Sequence, residues 1–216
     1  EEKEAINAAI AELEEALKSM YTDSVWFDDA TAPIKLVNLA KSVGATIITD
    51  KDPVVIAKAR KNAAEVEGMK AAQTSDALAM ARFLSWLDDE APNGKLTEIE
   101  IVEKLEDCRR QSNELLDISF ETISGSGPNG AIVHYRVSEN TSRTLNPGEL
   151  MLVDSGGQYR NGTTDITRTM ATGDTTPDQR KHFTLVLKGM IALSRVHFNK
   201  GATGAHLDAL ARQFLW

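Results

Sequence analysis

The sequence predicts an α/β protein in two parts, a small α/β module followed by an α+β domain. Three observations carry this. Strand-like and Pro-started helical runs alternate as far as Lys61, the pattern of a partly parallel sheet covered by helices. A long helical stretch, Ala63 to Leu87, then breaks the alternation. From Leu116 onward short β-branched runs are separated by Gly, Asn and Pro, the texture of an antiparallel sheet.

The elements follow in order. Up to Met20 a helix is expected, because Ile6, Ile10, Leu13 and Leu17 recur at helical spacing between Glu and Lys. SVWFDD is a strand candidate. PIKLVNLAKSVG places Pro33 in a first helical turn and Gly44 at the C-terminal cap. ATIITD is a β-branched strand, and DPVVIAKARKN is a second Pro-started helix. In the long stretch Val66, Met69, Leu78, Met80, Phe83, Leu84 and Leu87 supply the apolar positions. DDEAPNGK is a loop. Thr97 and Glu100 then stand at capping-box spacing at the start of TEIEIVEKLEDCRRQ. FETIS, AIVHYRV, ELMLVDS and TTDITRTM are the expected strands. Pro177 opens a final helical pair, PDQRKHFTLVLKGMIALSRVHF and GAHLDALARQFLW. The domain boundary is placed at Lys61, giving residues 1–61 and 62–216.

Composition excludes several classes. The 216 residues carry 24 Lys+Arg and 32 Asp+Glu, a net charge of −8, with 42% hydrophobic residues. That is globular composition, and its acidity argues against a nucleic-acid partner, which needs clustered cations. No apolar run approaches the length of about 18 residues that would span a membrane. Cys108 is the one cysteine, so no intrachain disulfide is available and reducing cytoplasm is the expected setting. Within EKLEDCRRQ it reads as a structural or surface cysteine. The chain opens on Glu1 and closes on an amphipathic run, so it reads as an internal piece of a longer protein.

Three residues stand out chemically. Asp154 follows the apolar run Leu150 to Val153, where a carboxylate should be hydrogen-bonded, neutralised or bound to a cation. Asp165 lies in TTDITRT on the returning strand. His134 is the centre of AIVHY. Each has a bland alternative: Asp-Ser-Gly-Gly as a strand-end turn, an exposed edge strand, a core histidine. Together the two carboxylates suit a hard divalent cation, Mn²⁺ or Mg²⁺, with zinc or cobalt as further options. Register decides. A type I′ turn at Asn161-Gly162 would set Asp154 opposite Thr169 and offset Asp165 by about 13 Å. A turn centred on Tyr159-Arg160 would set the two Asp face to face. The GSGPNG stretch, Gly125 to Gly130, matches a dinucleotide fingerprint literally, but a turn and a strand-like run follow it where a helix is required. It reads as a tight loop.

SGSGPNGAIVHYR, LMLVDSGGQYRNGTTDITRTM and FTLVLKGMIALS together resemble the cytosolic type of Xaa-Pro aminopeptidase, and more loosely prolidase, creatinase and methionine aminopeptidase. These share the pita-bread fold. VEGMKAAQTSDALAMARFLSWL resembles the first helix of that catalytic domain. The resemblance implies that residues 1–61 end a creatinase-like non-catalytic domain and that 62–216 begin an incomplete pita-bread domain. It implies that Asp154 and Asp165 are metal ligands and that His134 contacts substrate. It further implies two Mn²⁺ ions and peptide substrates with proline in second place, in a cytoplasmic protein that a homodimeric assembly would suit. The remaining ligands of that family, one His and two Glu after an HGTGHG-type motif, have no match here, and Gln73 stands where relatives often carry His. His182, His197 and His206 lie outside any such motif. This chain alone is therefore expected to hold Mn²⁺ weakly or not at all, to be inactive, and to leave an apolar sheet edge open. The competing function is a non-catalytic pita-bread module that binds a peptide or protein.

Overall fold

The computed structural model describes residues 2–19 and 24–216, so Met20 at the end of the first expected helix lies outside the described residues. The chain forms two compact units, residues 1–62 and 63–216.

In the first unit the order is α1 (Glu2–Ser19), β1 (Ser24–Phe27), α2 (Ile34–Ser42), β2 (Thr46–Thr49) and α3 (Val54–Ala59). The strands β1 and β2 pair in parallel, Ser24 opposite Thr46 through Phe27 opposite Thr49, with α2 as the crossover. Pro33 caps the start of α2, and Gly44, at φ 88°, lets the chain leave the helix and enter β2. Trp26 Nε1 donates to the carbonyl of Asp50 at 2.9 Å, tying the end of β2 to β1.

The second unit opens with α4 (Ala63–Glu90) and α5 (Glu98–Arg110). Thr97 and Glu100 form the expected capping box: the Thr97 hydroxyl accepts from Glu100 N at 3.2 Å, and Thr97 N donates to Glu100 Oε2 at 2.8 Å. The face of α4 that is buried runs Ala72, Asp76, Ala79, Met80, Phe83, Leu87. Val66 and Leu78, expected on the apolar face, are exposed instead. The strands are β3 (Leu115–Ile118), β4 (Ile123–Ser126), β5 (Leu150–Ser155), β6 (Gly157–Tyr159), β7 (Gly162–Thr163) and β8 (Ile166–Ala171). They make two antiparallel sheets, β3-β6-β7 and β4-β5-β8. The helices α6 (Pro177–Ser194) and α7 (Gly204–Arg212) follow.

The core lies between α4, α5 and the β4-β5-β8 sheet. Met80, Phe83, Leu87, Ile101, Leu105, Leu145, Met151 and Val153 pack there, and Cys108 with them, its thiol pKa raised by burial. Beside it sits a buried ion pair. Arg109 Nε donates to Asp76 Oδ1 at 2.6 Å, and the Tyr159 hydroxyl donates to the same oxygen at 2.8 Å. This ties α4, α5 and β6 together, and it pushes the Tyr159 hydroxyl pKa up through burial and the neighbouring carboxylate.

Two expectations need correction. AIVHYRV is not a strand. Residues 127–131 form a 3₁₀ turn, and the chain after it is irregular through Arg136. Its amides close turns rather than a ladder: Ile132 N donates to Asn129 O and Tyr135 N to Ile132 O. The hairpin turn is neither of the two considered. Tyr159 pairs with Gly162, so Arg160-Asn161 is the loop, and neither residue has positive φ. Gly162 is there for packing. A Cβ on it would meet Met69 Sδ at 2.9 Å and Ala72 Cβ at 3.0 Å on α4.

On the other side of the sheet, β8 has no strand partner beyond β5 among the described residues. The apolar residues Phe183, Val186, Leu187 and Met190 of α6 are exposed, and with Leu150 and Thr169 they line an open 880 Å³ groove.

Candidate active site

The site is built from β5, the residues just ahead of β8 and the irregular segment after β4. Along β5 the side chains alternate. Met151, Val153 and Ser155 are buried toward the helices, while Leu150, Leu152 and Asp154 share the opposite, half-buried face. Asp154 is thus not sunk in apolar surroundings, as its sequence neighbours suggest. It sits on the open face, and Thr167 Oγ1 donates to its Oδ1 at 2.8 Å, which fixes the carboxylate.

Register places the second carboxylate. Asp154 pairs with Thr167, and Ser155 with Ile166. Asp165 stands two residues before Thr167, just ahead of β8, and lines the same cavity as Asp154. The ribbon turns a corner here. At Gly156, between β5 and β6, a Cβ would run into the carbonyl of Thr164 and the hydroxyl of Ser119.

His134 arrives from the other direction. Its φ of 54° is left-handed, a conformation that costs a non-glycine residue about 1–3 kcal/mol and persists where the surroundings impose it. Its side chain is exposed and meets both Asp at one open cavity of 330 Å³, which Phe120, Ile123, Glu121 and Arg136 also line. Glu121 and Arg136 pair at its rim. The three residues singled out from sequence are therefore brought together by the fold.

The donor set fits a hard divalent cation in kind: two carboxylates, one of them held by a hydroxyl, facing a cavity with an imidazole at its edge. It falls short in number, because among the described residues no group of three or more His, Cys, Asp or Glu is placed to hold an ion. The other histidines do other work or lie elsewhere. His206 Nδ1 accepts from Thr203 N at 3.0 Å as part of a cap on α7, and His182 lines the groove along α6. Gln73 is exposed on α4.

Sequence reasoning missed Glu98. It looked like an ordinary acidic residue in a helix first turn, yet it is fully buried and accepts hydrogen bonds from Ser126, Asn129, Tyr135 and Arg143. An acid directly after an N-cap whose box partner is already Glu100 was the available signal.

The chain is similar to known proteins in both sequence and fold. The chain is 48% identical over 168 residues to a probable Xaa-Pro aminopeptidase P of Paracoccidioides brasiliensis (strain Pb18), covering 77% of this chain and 27% of that protein. It is 45% identical over 181 residues to one from Tuber melanosporum (strain Mel28), covering 82% and 29%. The chain thus spans under a third of the length of these relatives. Among solved structures it matches an X-prolyl aminopeptidase from Caenorhabditis elegans, described as a cytosolic enzyme with a di-nuclear active site. The TM-score is 0.77 at 34% identity, over 98% of this chain and 34% of that one. A Xaa-Pro dipeptidase from Bacillus anthracis matches with TM-score 0.76 at 26% identity, over 94% and 55%. The model of metallopeptidase family M24 matches residues 67–216, nearly all of the second unit, and this chain belongs to that family.

Proposed function

We propose that the 330 Å³ cavity is part of the active site of a metal-dependent aminopeptidase that releases the N-terminal residue from peptides with proline in second place. The observation that carries this is the meeting of His134, Asp154 and Asp165 at one cavity, although His134 is 20 and Asp165 11 residues from Asp154 in sequence. The Xaa-Pro specificity of the relatives supports the substrate class. In this reading residues 1–61 end a non-catalytic domain, and residues 62–216 are the first portion of the catalytic one.

Each side chain has a task. Asp154 and Asp165 would hold the metal, Asp154 with its orientation set by Thr167. Two carboxylates carry two negative charges, so a pair of divalent ions needs further ligands from outside these residues. Two Mn²⁺ ions, with zinc or cobalt as substitutes, would supply activated water and polarise the carbonyl before proline. His134, at the cavity edge, hydrogen-bonds the substrate or the oxyanion developing on it. The protein works in the cytoplasm on peptides, without nucleic-acid or membrane partners, and a homodimer is the assembly to test.

The deciding experiment is Asp154→Ala in the full-length protein, read by bound metal and by hydrolysis of an Xaa-Pro peptide. Loss of both with an unchanged circular dichroism spectrum is expected. Unchanged metal and turnover would refute the assignment, and peptide binding without turnover in the unaltered protein would favour the non-catalytic module.

A further inference from the structure

The geometry points to Glu98 as the positioning residue for His134. This rests on reading the cavity as the active site, but the observations are independent of the metal.

The imidazole of His134 is exposed and has no hydrogen-bond partner among the described residues, so its place is set by its backbone. That backbone is left-handed and belongs to no helix or sheet. Something else must hold the segment between β4 and β5, and the side chain that reaches both of its ends is Glu98. Its Oε1 accepts from Ser126 N at 2.7 Å, Ser126 Oγ at 3.1 Å and Asn129 Nδ2 at 3.1 Å. Its Oε2 accepts from Asn129 Nδ2 at 3.1 Å, the Tyr135 hydroxyl at 3.2 Å and Arg143 N at 3.0 Å. The main chain of Glu98 joins in: its N donates to Arg143 O at 3.0 Å and its carbonyl accepts from Ser124 Oγ at 2.7 Å.

His134 therefore sits between two anchors, Asn129 and Tyr135, both tied to one fully buried carboxylate. Tyr135 is adjacent to His134 and is itself buried, while Ile132 and Val133 on the other side are exposed. Tyr135 follows His134 directly in the chain, and its hydroxyl is held by Glu98 Oε2 and by the carbonyl of Thr141. Since Glu98 is the first residue of α5, and α5 packs on the sheet through Ile101 and Leu105, the anchor is rigid. Because both oxygens of this buried carboxylate face donors, glutamine should be a poor substitute. The amide nitrogen would oppose Ser126 N in one orientation and Arg143 N in the other.

The test uses Glu98→Gln and Tyr135→Phe in the full-length protein, read by kcat, KM, metal content and the ¹³Cε1–H NMR signal of His134. We expect Glu98→Gln to lower kcat about tenfold or more, with KM and metal content within about twofold, and to move the His134 signal. Tyr135→Phe, which keeps the ring, should do the same to a smaller degree and serves if Glu98→Gln does not fold. On a His134→Ala background neither substitution should lower kcat further, because their effect passes through the imidazole. A full additional loss on that background, loss of metal, or an unmoved His134 signal would overturn the proposal. Should the unaltered protein fail to cleave Xaa-Pro peptides, the aminopeptidase reading falls. The His134 signal alone then decides whether Glu98 positions it.

Discussion

Removing the Asp76 carboxylate should cost the second unit much of its stability while touching nothing in the cavity. Asp76 and Arg109 are both fully buried, and Asp76 also accepts from the Tyr159 hydroxyl. Arg109 Nη1 is already without a partner among the described residues. Asp76→Ala leaves a buried guanidinium with no counter-charge, a loss of about 3–5 kcal/mol. The Tyr159 hydroxyl loses its acceptor as well, about 1–3 kcal/mol if it cannot find another. The two losses share one site and do not add in full, so about 4 kcal/mol is the working value. For a unit of this size each kcal/mol moves Tm by about 2–4 °C, which puts the drop at about 8–16 °C. Urea unfolding followed by circular dichroism measures it. Asp76→Leu combined with Arg109→Met should be far milder than Asp76→Ala, because both charges leave together. A loss under about 1 kcal/mol for Asp76→Ala, or a double variant as unstable as the single one, would mean the pair is not the clamp described here.

His134→Ala should lower kcat by about 10²–10³ with metal content retained, measured by steady-state kinetics on an Xaa-Pro peptide and metal analysis; full kcat would remove the imidazole from the site. Gly156→Ala forces a side chain against Thr164 and Ser119 at the ribbon corner, so it should cost about 1–3 kcal/mol and weaken metal retention together, checked by melting and dialysis. The Arg143 guanidinium, 2.9 Å from Glu149, holds that carboxyl below the usual carboxylate range. As pH falls the unfolded chain takes up this proton first, so the stabilisation is present above the ordinary Glu value of about 4.3 and is lost as pH drops through the lower folded value. Glu149→Gln should flatten that part of a stability–pH curve. The 216 residues alone should self-associate through the apolar face of α6, and Val186→Lys with Met190→Lys should reduce this in sedimentation velocity.

The features legible in the sequence are those whose cause is local. Pro33 and Gly44 bound α2 because one fixes φ and the other permits a positive one. Thr97 and Glu100 cap α5 because each needs only its neighbour three residues away. Asp154 and Asp165 were legible as a pair, but their register was not. The Asn-Gly signal was overridden because Gly162 has to admit α4, a contact nearly a hundred residues distant in sequence. AIVHY has the β-branched and aromatic texture of a strand, yet the groups its backbone bonds to lie within the same turn. Only Tyr135 of that run is buried, and it is buried by Glu98. The pairs Asp76–Arg109 and Glu98–Tyr135 join charged or polar residues on separate elements, and no periodicity announces them.

These non-local ties also explain how one strand can serve both core and site. β5 commits alternate side chains to the helices, and that commitment fixes which face Asp154 occupies. A slip of one residue between β5 and its neighbours would bury Asp154 against Phe83 and Leu105 and expose Val153. The buried face therefore protects the register of the carboxylate as strongly as it protects the fold. Asp165 inherits its place from the same ladder through Thr167, and His134 from α5 through Glu98 and Tyr135. Since α5 and β5 share one core, the three residues at the cavity are held by a single packed unit. Variants that loosen that core, Leu105→Ala among them, should degrade the geometry at the cavity before they unfold the chain.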